Sequence, residues 1–149
     1  MVSTLTVPNQ QTAGQRNTWI FQASPKLYKI TDSLRLENEE MWNLRQHHRH
    51  VRLGDRVLIW ISGDRAGIYA LGTVISNPVV QSDSPKGISY WNDKQQGFRP
   101  IARVRVRYER ILLNHPLLRD FLSCDPDLWK LSILRNPRGT NFTVTVAEW

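Results

Sequence analysis

Cysteine is almost missing from this sequence. The single one among 149 residues, Cys124, cannot form an internal disulfide and cannot build a thiolate metal site alone. No apolar run approaches the ~20 residues of a membrane-crossing helix. Residues 1–15 show no basic start followed by an apolar block, so no secretory leader is read there. A P-loop, a Rossmann glycine set and a hydrolase elbow are also lacking, which argues against the chemistries those motifs carry. These absences leave the expectation of a soluble, cytoplasmic, single-domain protein without a cofactor or a membrane partner.

The chain is long enough for one core, since domains cluster at ~100–150 residues. Apolar residues make up 40% and charged residues 22%, an ordinary globular balance that argues against disorder. Lys and Arg exceed Asp and Glu by 20 to 13, and the basic side is 15 arginines against 5 lysines. Arginine offers a planar, bidentate fork to phosphates and base edges, and it stacks on rings. Six tryptophans add stacking surface. A basic, Arg-biased, Trp-rich domain fits a nucleic-acid binder that stacks bases.

Met1–Asn17 is polar and aperiodic and reads as a flexible tail, so the domain is expected over 18–149. Trp19–Phe21 reads as a short strand that Ser24-Pro25 ends, with Ser24 and Pro25 opening a helix that turns Leu27, Tyr28 and Ile30 inward. Leu34–Arg49, which carries Trp42, reads as a helix or a few turns. Arg56–Ile61 and Ile68–Val80 form a hairpin around Ser62–Gly67, with Ile68, Ala70, Gly72 and Val74 on one face. Gln81–Arg99 reads as a long loop, a feature often tied to function. Pro100–Leu113 is a third strand with Val104, Val106 and Tyr108 on one face and Arg103, Arg105 and Arg107 on the other. Short helices follow from His115-Pro116, carrying Leu117, Leu118, Phe121 and Leu122, and from Asp125-Pro126, where Trp129 is expected in the core. Asn141–Val146 is a last extended piece. The pattern suggests an α+β domain around a small curved sheet or barrel.

Four stretches carry a resemblance over 18–149. They are Trp19-Ile20-Phe21-Gln22-Ala23-Ser24-Pro25; Trp42 with Arg45; Gly54-Asp55-Arg56-Val57-Leu58-Ile59-Trp60 followed by Ala66-Gly67-Ile68-Tyr69-Ala70-Leu71-Gly72; and Asn136-Pro137-Arg138-Gly139-Thr140-Asn141-Phe142. In this order they resemble the EVE domain, a member of the PUA-like superfamily and a relative of the YTH domain. His47-His48-Arg49-His50 is not part of that pattern. The resemblance implies a PUA-like curved antiparallel or mixed sheet with short helices around it. It also implies a pocket for an extruded base and a function in reading modified DNA or RNA bases.

A modified base is discriminated only after leaving the stack, at a cost of a few kcal/mol. Stacking on aromatic faces returns ~1–3 kcal/mol per base. By the family comparison Trp42 is the first candidate wall; Trp91, in the long loop, is the second. Trp60 is a further candidate, although its place in a strand pattern favours plain core. Ser24 could offer its hydroxyl and a backbone N–H to the base edge, and Asn43 an amide that donates and accepts. Two arginine groups are candidates for the nucleic-acid backbone. Arg45, Arg49 and Arg52 follow Trp42 closely, whereas Arg103, Arg105 and Arg107 would stand about 6.6–6.8 Å apart on one strand face. Arg138 lies in a turn where a phosphate could reach backbone N–H groups.

Competing readings are an enzyme acting on a nucleotide or small amide, with a histidine from 47–50 as acid or base, and a protein-interaction accessory. His47, His48 and His50 are weighed as metal ligands and read as a basic surface instead. Asp55 and Asp64 read as turn residues. The expected partner is nucleic acid with a modified base; a separately encoded restriction-type nuclease is a candidate second partner.

Overall fold

In a computed structural model of the chain, residues 16–145 and Glu148 are described. The expectations for residues 1–15 and for Trp149 fall outside these. Arg16 and Asn17, at the start of the described residues, are bonded to the fold: Arg16 Nε donates to Gly54 O at 2.7 Å, and the Asn17 carbonyl accepts from Arg56 N at 2.9 Å.

Strands β1 (Thr18–Ala23) and β3 (Arg56–Ile61) are nearly uninterrupted apolar runs, and the reason is burial on both faces. Trp19, Phe21, Val57, Ile59 and Ile61 enter one core; Ile20, Leu58 and Trp60 enter another. The two strands pair in parallel, Thr18 opposite Arg56 through Ala23 opposite Ile61. The chain between them holds α1 (Ile30–Leu36) and β2 (Glu39–Asn43). Then come β4 (Gly67–Val74), β5 (Val79–Gln81), α2 (Pro85–Tyr90), α3 (Lys94–Phe98) and β6 (Ile101–Ile111). Last are β7 (Leu117–Leu118), α4 (Arg119–Cys124), α5 (Ser132–Arg135) and β8 (Asn141–Val144). The order across the eight-stranded sheet is β2-β6-β4-β3-β1-β8, with β5 also on β6 and β7 also on β4. This mixed sheet curls into a half-barrel with short helices around it, as the sequence pattern suggested. The inner core fills the curl, and α4, α5 and β8 help to cover the outer one.

Several local expectations are corrected. Trp42 sits on a strand: Glu39–Asn43 pairs with Arg103–Arg107 of β6. Its alternation of Glu40 and Trp42 inward against exposed or half-buried neighbours is a period of two, not of a helix. The return strand of the hairpin stops at Val74, and Val79–Gln81 is a separate strand. A bulge at Tyr69 breaks the single face expected for β4. Ile59 pairs with Ala70 and Trp60 with Ile68, so Tyr69 is extra, and Ile68 joins the outer core while Ala70 and Val74 join the inner.

Residues 81–99 are not a plain loop but contain α2 and α3, capped by Ser84 and Asp93 side chains. Ser24 starts only a turn, because Tyr28 is drawn into an isolated β-bridge with Trp91; Leu27 faces outward. Leu117 and Leu118 extend as β7, Phe121 is exposed, and only Leu122 of α4 is buried. Trp129 is 52% exposed rather than core, with Lys130 Nζ 5.0 Å from its ring centre.

Candidate functional site

The end of β1, strand β2 and the 81–99 segment enclose a cavity of about 440 Å³, a size usual for a small-molecule site. Of the residues singled out from sequence, Ser24, Trp42, Asn43, Arg45 and Trp91 line it. Tyr28, Glu40, Asp83, Gln96 and Arg99 line it too and were missed.

On β2, Trp42 turns its ring inward against Phe21, with centroids 6.1 Å apart. Its indole N–H is occupied, donating to the Tyr108 hydroxyl at 3.0 Å. Tyr108 in turn donates to Glu40 Oε2, which also accepts from Ser33 Oγ at 2.9 Å. Tyr28 donates to Glu40 Oε1 at 2.5 Å. Three hydroxyls therefore converge on one buried carboxylate. Burial raises the Glu40 pKa above its ordinary value, and the hydroxyl donors oppose that rise. Burial and then the nearby Glu40 charge push the Tyr28 and Tyr108 hydroxyls up in turn. With its polar edge spent, Trp42 has only ring surface to offer a ligand.

The second wall is built by α2 and α3. Trp91 stands edge-on to Tyr28, centroids 5.1 Å apart at 76°. Its indole N–H donates to Asp83 Oδ2 at 2.9 Å, while Asp83 Oδ1 accepts from Ser84 N at 2.7 Å. Asp83 is buried; desolvation raises its pKa, and Trp91, Ser84 and Arg103 work against the rise. Two glycines make room here. A Cβ on Gly87 would lie 2.1 Å from Asp83 Oδ1, and one on Gly97 would lie 2.8 Å from Trp91 Cδ1. Main-chain bonds tie the wall to β1's end: Lys29 N to Tyr90 O and Asn92 N to Leu27 O, both at 2.9 Å.

Arg103 is not a phosphate-facing side chain. It is fully buried beneath the 81–99 segment, 3.8 Å from Asp83. Its guanidinium donates to the carbonyls of Gln81 at 2.9 Å, Gln96 at 3.1 Å and Arg99 at 3.0 Å. It also donates to Asn43 Oδ1. The sequence pattern placed Arg103 on an outer face because the 81–99 segment was read as an open loop; instead it covers that end of β6. Arg105 and Arg107 remain exposed but are paired, with Glu39 and Glu109. Trp60 is likewise corrected: it is 3% exposed in the outer core, across the sheet from the cavity.

Ser24 Oγ accepts from Lys26 N at 3.3 Å in its turn. The Asn43 carbonyl accepts from Asn141 Nδ2 at 3.0 Å, and Asn141 Oδ1 accepts from the Arg45 and Gln46 backbone N–H groups. Arg45 and Arg99 are exposed where they line the cavity. Arg49 and Arg138 are exposed outside it, and Arg52 is folded onto its own loop through the Arg49 carbonyl. His47 packs on Trp19, centroids 5.2 Å apart, and no histidine lines the cavity. Among the described residues, no group of three His, Cys, Asp or Glu is placed to hold a metal. Arg99 was overlooked because nothing in its local sequence marks it. Tyr28 carried a weak signal, a hydroxyl in a stretch expected to turn inward, whereas Glu40 lies in an acidic run and carried none.

The family model for the EVE domain matches residues 17–149. Among solved structures, a hypothetical protein from Leishmania major is similar at 20% identity and a TM-score of 0.66, with 91% of each chain covered. The human THYN1 protein, in complex with DNA containing 5-methylcytosine, is similar at 14% identity and a TM-score of 0.64, covering 89% of this chain and 92% of that one. A protein from Rhodopseudomonas palustris is similar at 18% identity and a TM-score of 0.63, covering 89% and 88%. No curated protein matches the sequence significantly.

Proposed function

The chain belongs to the EVE domain family, and on that footing we propose that it binds nucleic acid carrying a modified base and holds that base, extruded, in the cavity lined by Trp42 and Trp91. The observation that carries the reading is the cavity itself: about 440 Å³, with two tryptophans whose N–H groups are already spent, so that ring surface faces the ligand. Stacking on such faces returns ~1–3 kcal/mol per base, which offsets the few kcal/mol of extrusion. Ser24 and Asn43 read the base edge. Arg45 and Arg99 at the cavity, with Arg49, Arg52 and Arg138 beyond it, attract the phosphates. That a similar fold, human THYN1, occurs in complex with DNA containing 5-methylcytosine supports nucleic acid as the partner. The reading is of a binding module rather than an enzyme, since both carboxylates at the cavity are engaged in holding its walls and no histidine reaches it.

Tryptophan-fluorescence titration with matched DNA and RNA oligonucleotides tests this, using unmodified strands and strands with 5-methylcytosine, 5-hydroxymethylcytosine or N6-methyladenine. The expected result is a salt-sensitive affinity with a preference of tenfold or more, about 1.4 kcal/mol, for one modified base. Absence of binding by folded protein to every strand would overturn it.

A further inference from the structure

Asn43 lines the cavity, and one end of its side-chain amide is spoken for. An arginine carries only donors, so the atom of Asn43 that meets the Arg103 guanidinium is the carbonyl oxygen. Arg103 is itself immobilised, fully buried and anchored on the carbonyls of Gln81, Gln96 and Arg99 as well as beside Asp83. The amide therefore cannot turn over without setting its NH2 group against a buried cation. Its Nδ2 is left to donate to whatever enters the cavity.

The two carboxylates on the cavity wall have the opposite sense. Glu40 and Asp83 are acceptors. Glu40 accepts three hydrogen bonds, and Asp83 accepts one at each oxygen and lies beside Arg103. A carboxylate has about four lone-pair sites, so each can take a further donor. A carbonyl oxygen brought against either would meet like charge.

We propose that Arg103 acts as a positioning residue that fixes the polarity of the Asn43 amide, so that the cavity selects bases presenting an amidine edge, a bare ring nitrogen beside an amino group, over bases presenting an imide edge, a ring N–H beside a carbonyl. Asn43 Nδ2 donates to the bare ring nitrogen, and the carboxylates accept from the amino group. Cytosine and adenine carry amidine edges; thymine and hypoxanthine carry imide edges on the same ring frames. This inference rests on the base-binding reading above and narrows it to an edge.

The test uses two isosteric pairs in single-stranded oligonucleotides, which removes the cost of extrusion from a duplex: 5-methylcytosine against thymine, and adenine against hypoxanthine. Wild-type protein is expected to favour the amidine member of at least one pair by tenfold or more. The Asn43→Asp variant keeps an oxygen on Arg103 and loses the Nδ2 donor, so its melting temperature should hold or rise. Its affinity for the amidine base should fall by tenfold or more, and its preference within the pair should vanish. A purely structural role for Asn43 would leave that preference intact. Arg103→Met, if it folds, should lower the same preference by freeing the amide to turn. Equal affinity of wild-type protein for both members of each pair, or Asn43→Asp binding the amidine base as well as wild type, overturns the edge assignment while leaving base binding in place. Binding to none of the four strands overturns the edge assignment, and if the 5-hydroxymethylcytosine and N6-methyladenine strands also fail to bind, the base-binding reading falls with it.

Discussion

The Trp42 indole N–H donates to the Tyr108 hydroxyl, 3.0 Å away, and that hydroxyl donates onward to Glu40. Tyr108 does not line the cavity, yet it fixes the rotation of the ring that does. Tyr108→Phe should leave an indole N–H and a carboxylate oxygen short of a partner, at a cost of about 1–3 kcal/mol. Urea denaturation reads the stability, and the fluorescence titration should show weaker binding from a residue that never touches the ligand. Unchanged binding would mean that Trp42 keeps its orientation without this bond.

Trp42→Phe and Trp42→Ala separate stacking from packing. The alanine variant should lose about 3–5 kcal/mol of stability, because a buried ring is removed from the inner core. The phenylalanine variant keeps a ring face and should retain most base affinity, whereas the alanine variant should lose it. Equal affinity in all three proteins would place the base elsewhere.

Gly97→Ala probes the second wall. Its Cβ would press on Trp91 Cδ1 at 2.8 Å and on Ile88, so the indole must move. A stability loss of about 1–3 kcal/mol is expected, together with a changed Trp91 emission and weaker base binding. Full retention of both emission and affinity would show that the wall gives way without consequence.

Tyr28 and Tyr108 set the alkaline limit of the fold. Burial, first, and Glu40, second, hold both hydroxyls above the ordinary tyrosine range, so the native state keeps protons that the unfolded chain releases. Their contribution is complete below the unfolded pKa of about 10 and is lost as pH rises beyond it. Tyrosinate absorbance for these two should therefore appear together with loss of circular dichroism, not before it. Two buried tyrosinates forming in a folded protein would contradict the arrangement.

Arg45→Ala and Arg99→Ala should each weaken oligonucleotide binding without changing which base is preferred, and each should reduce the salt slope by about one. Arg105→Ala, by contrast, removes an exposed pair with Glu39 and should change stability by only about 0–1 kcal/mol.

The strands were legible where burial is simplest. β1 and β3 announce themselves as apolar runs, and the alternation of Val104, Val106 and Tyr108 gave the inner face of β6. The aromatic walls followed from motif and loop position. What sequence could not supply were contacts between distant segments. Trp42 becomes a strand residue only because β6, more than sixty positions later, pairs with it. Arg103 becomes a buried hub only because the 81–99 segment folds over it, and a period-two pattern cannot tell a covered face from an open one. The bulge at Tyr69 reversed the facing of Ile68 without any glycine or proline to mark it. Asp83 and Glu40 looked like ordinary acids until three-dimensional neighbours removed them from water.

Asn141 holds the Asn43 carbonyl and the backbone of Arg45 and Gln46, and the adjacent Thr140 lines the cavity. The strand that carries Asn141 pairs with β1, which is made more than a hundred positions earlier. On the ribosome, both tryptophan walls therefore emerge long before the clasp that fixes the stretch leading from Trp42 to Arg45. A nascent chain halted before β8 would carry both walls and all fifteen arginines with an open seam, so the clasp beside the cavity closes only once β8 has been made.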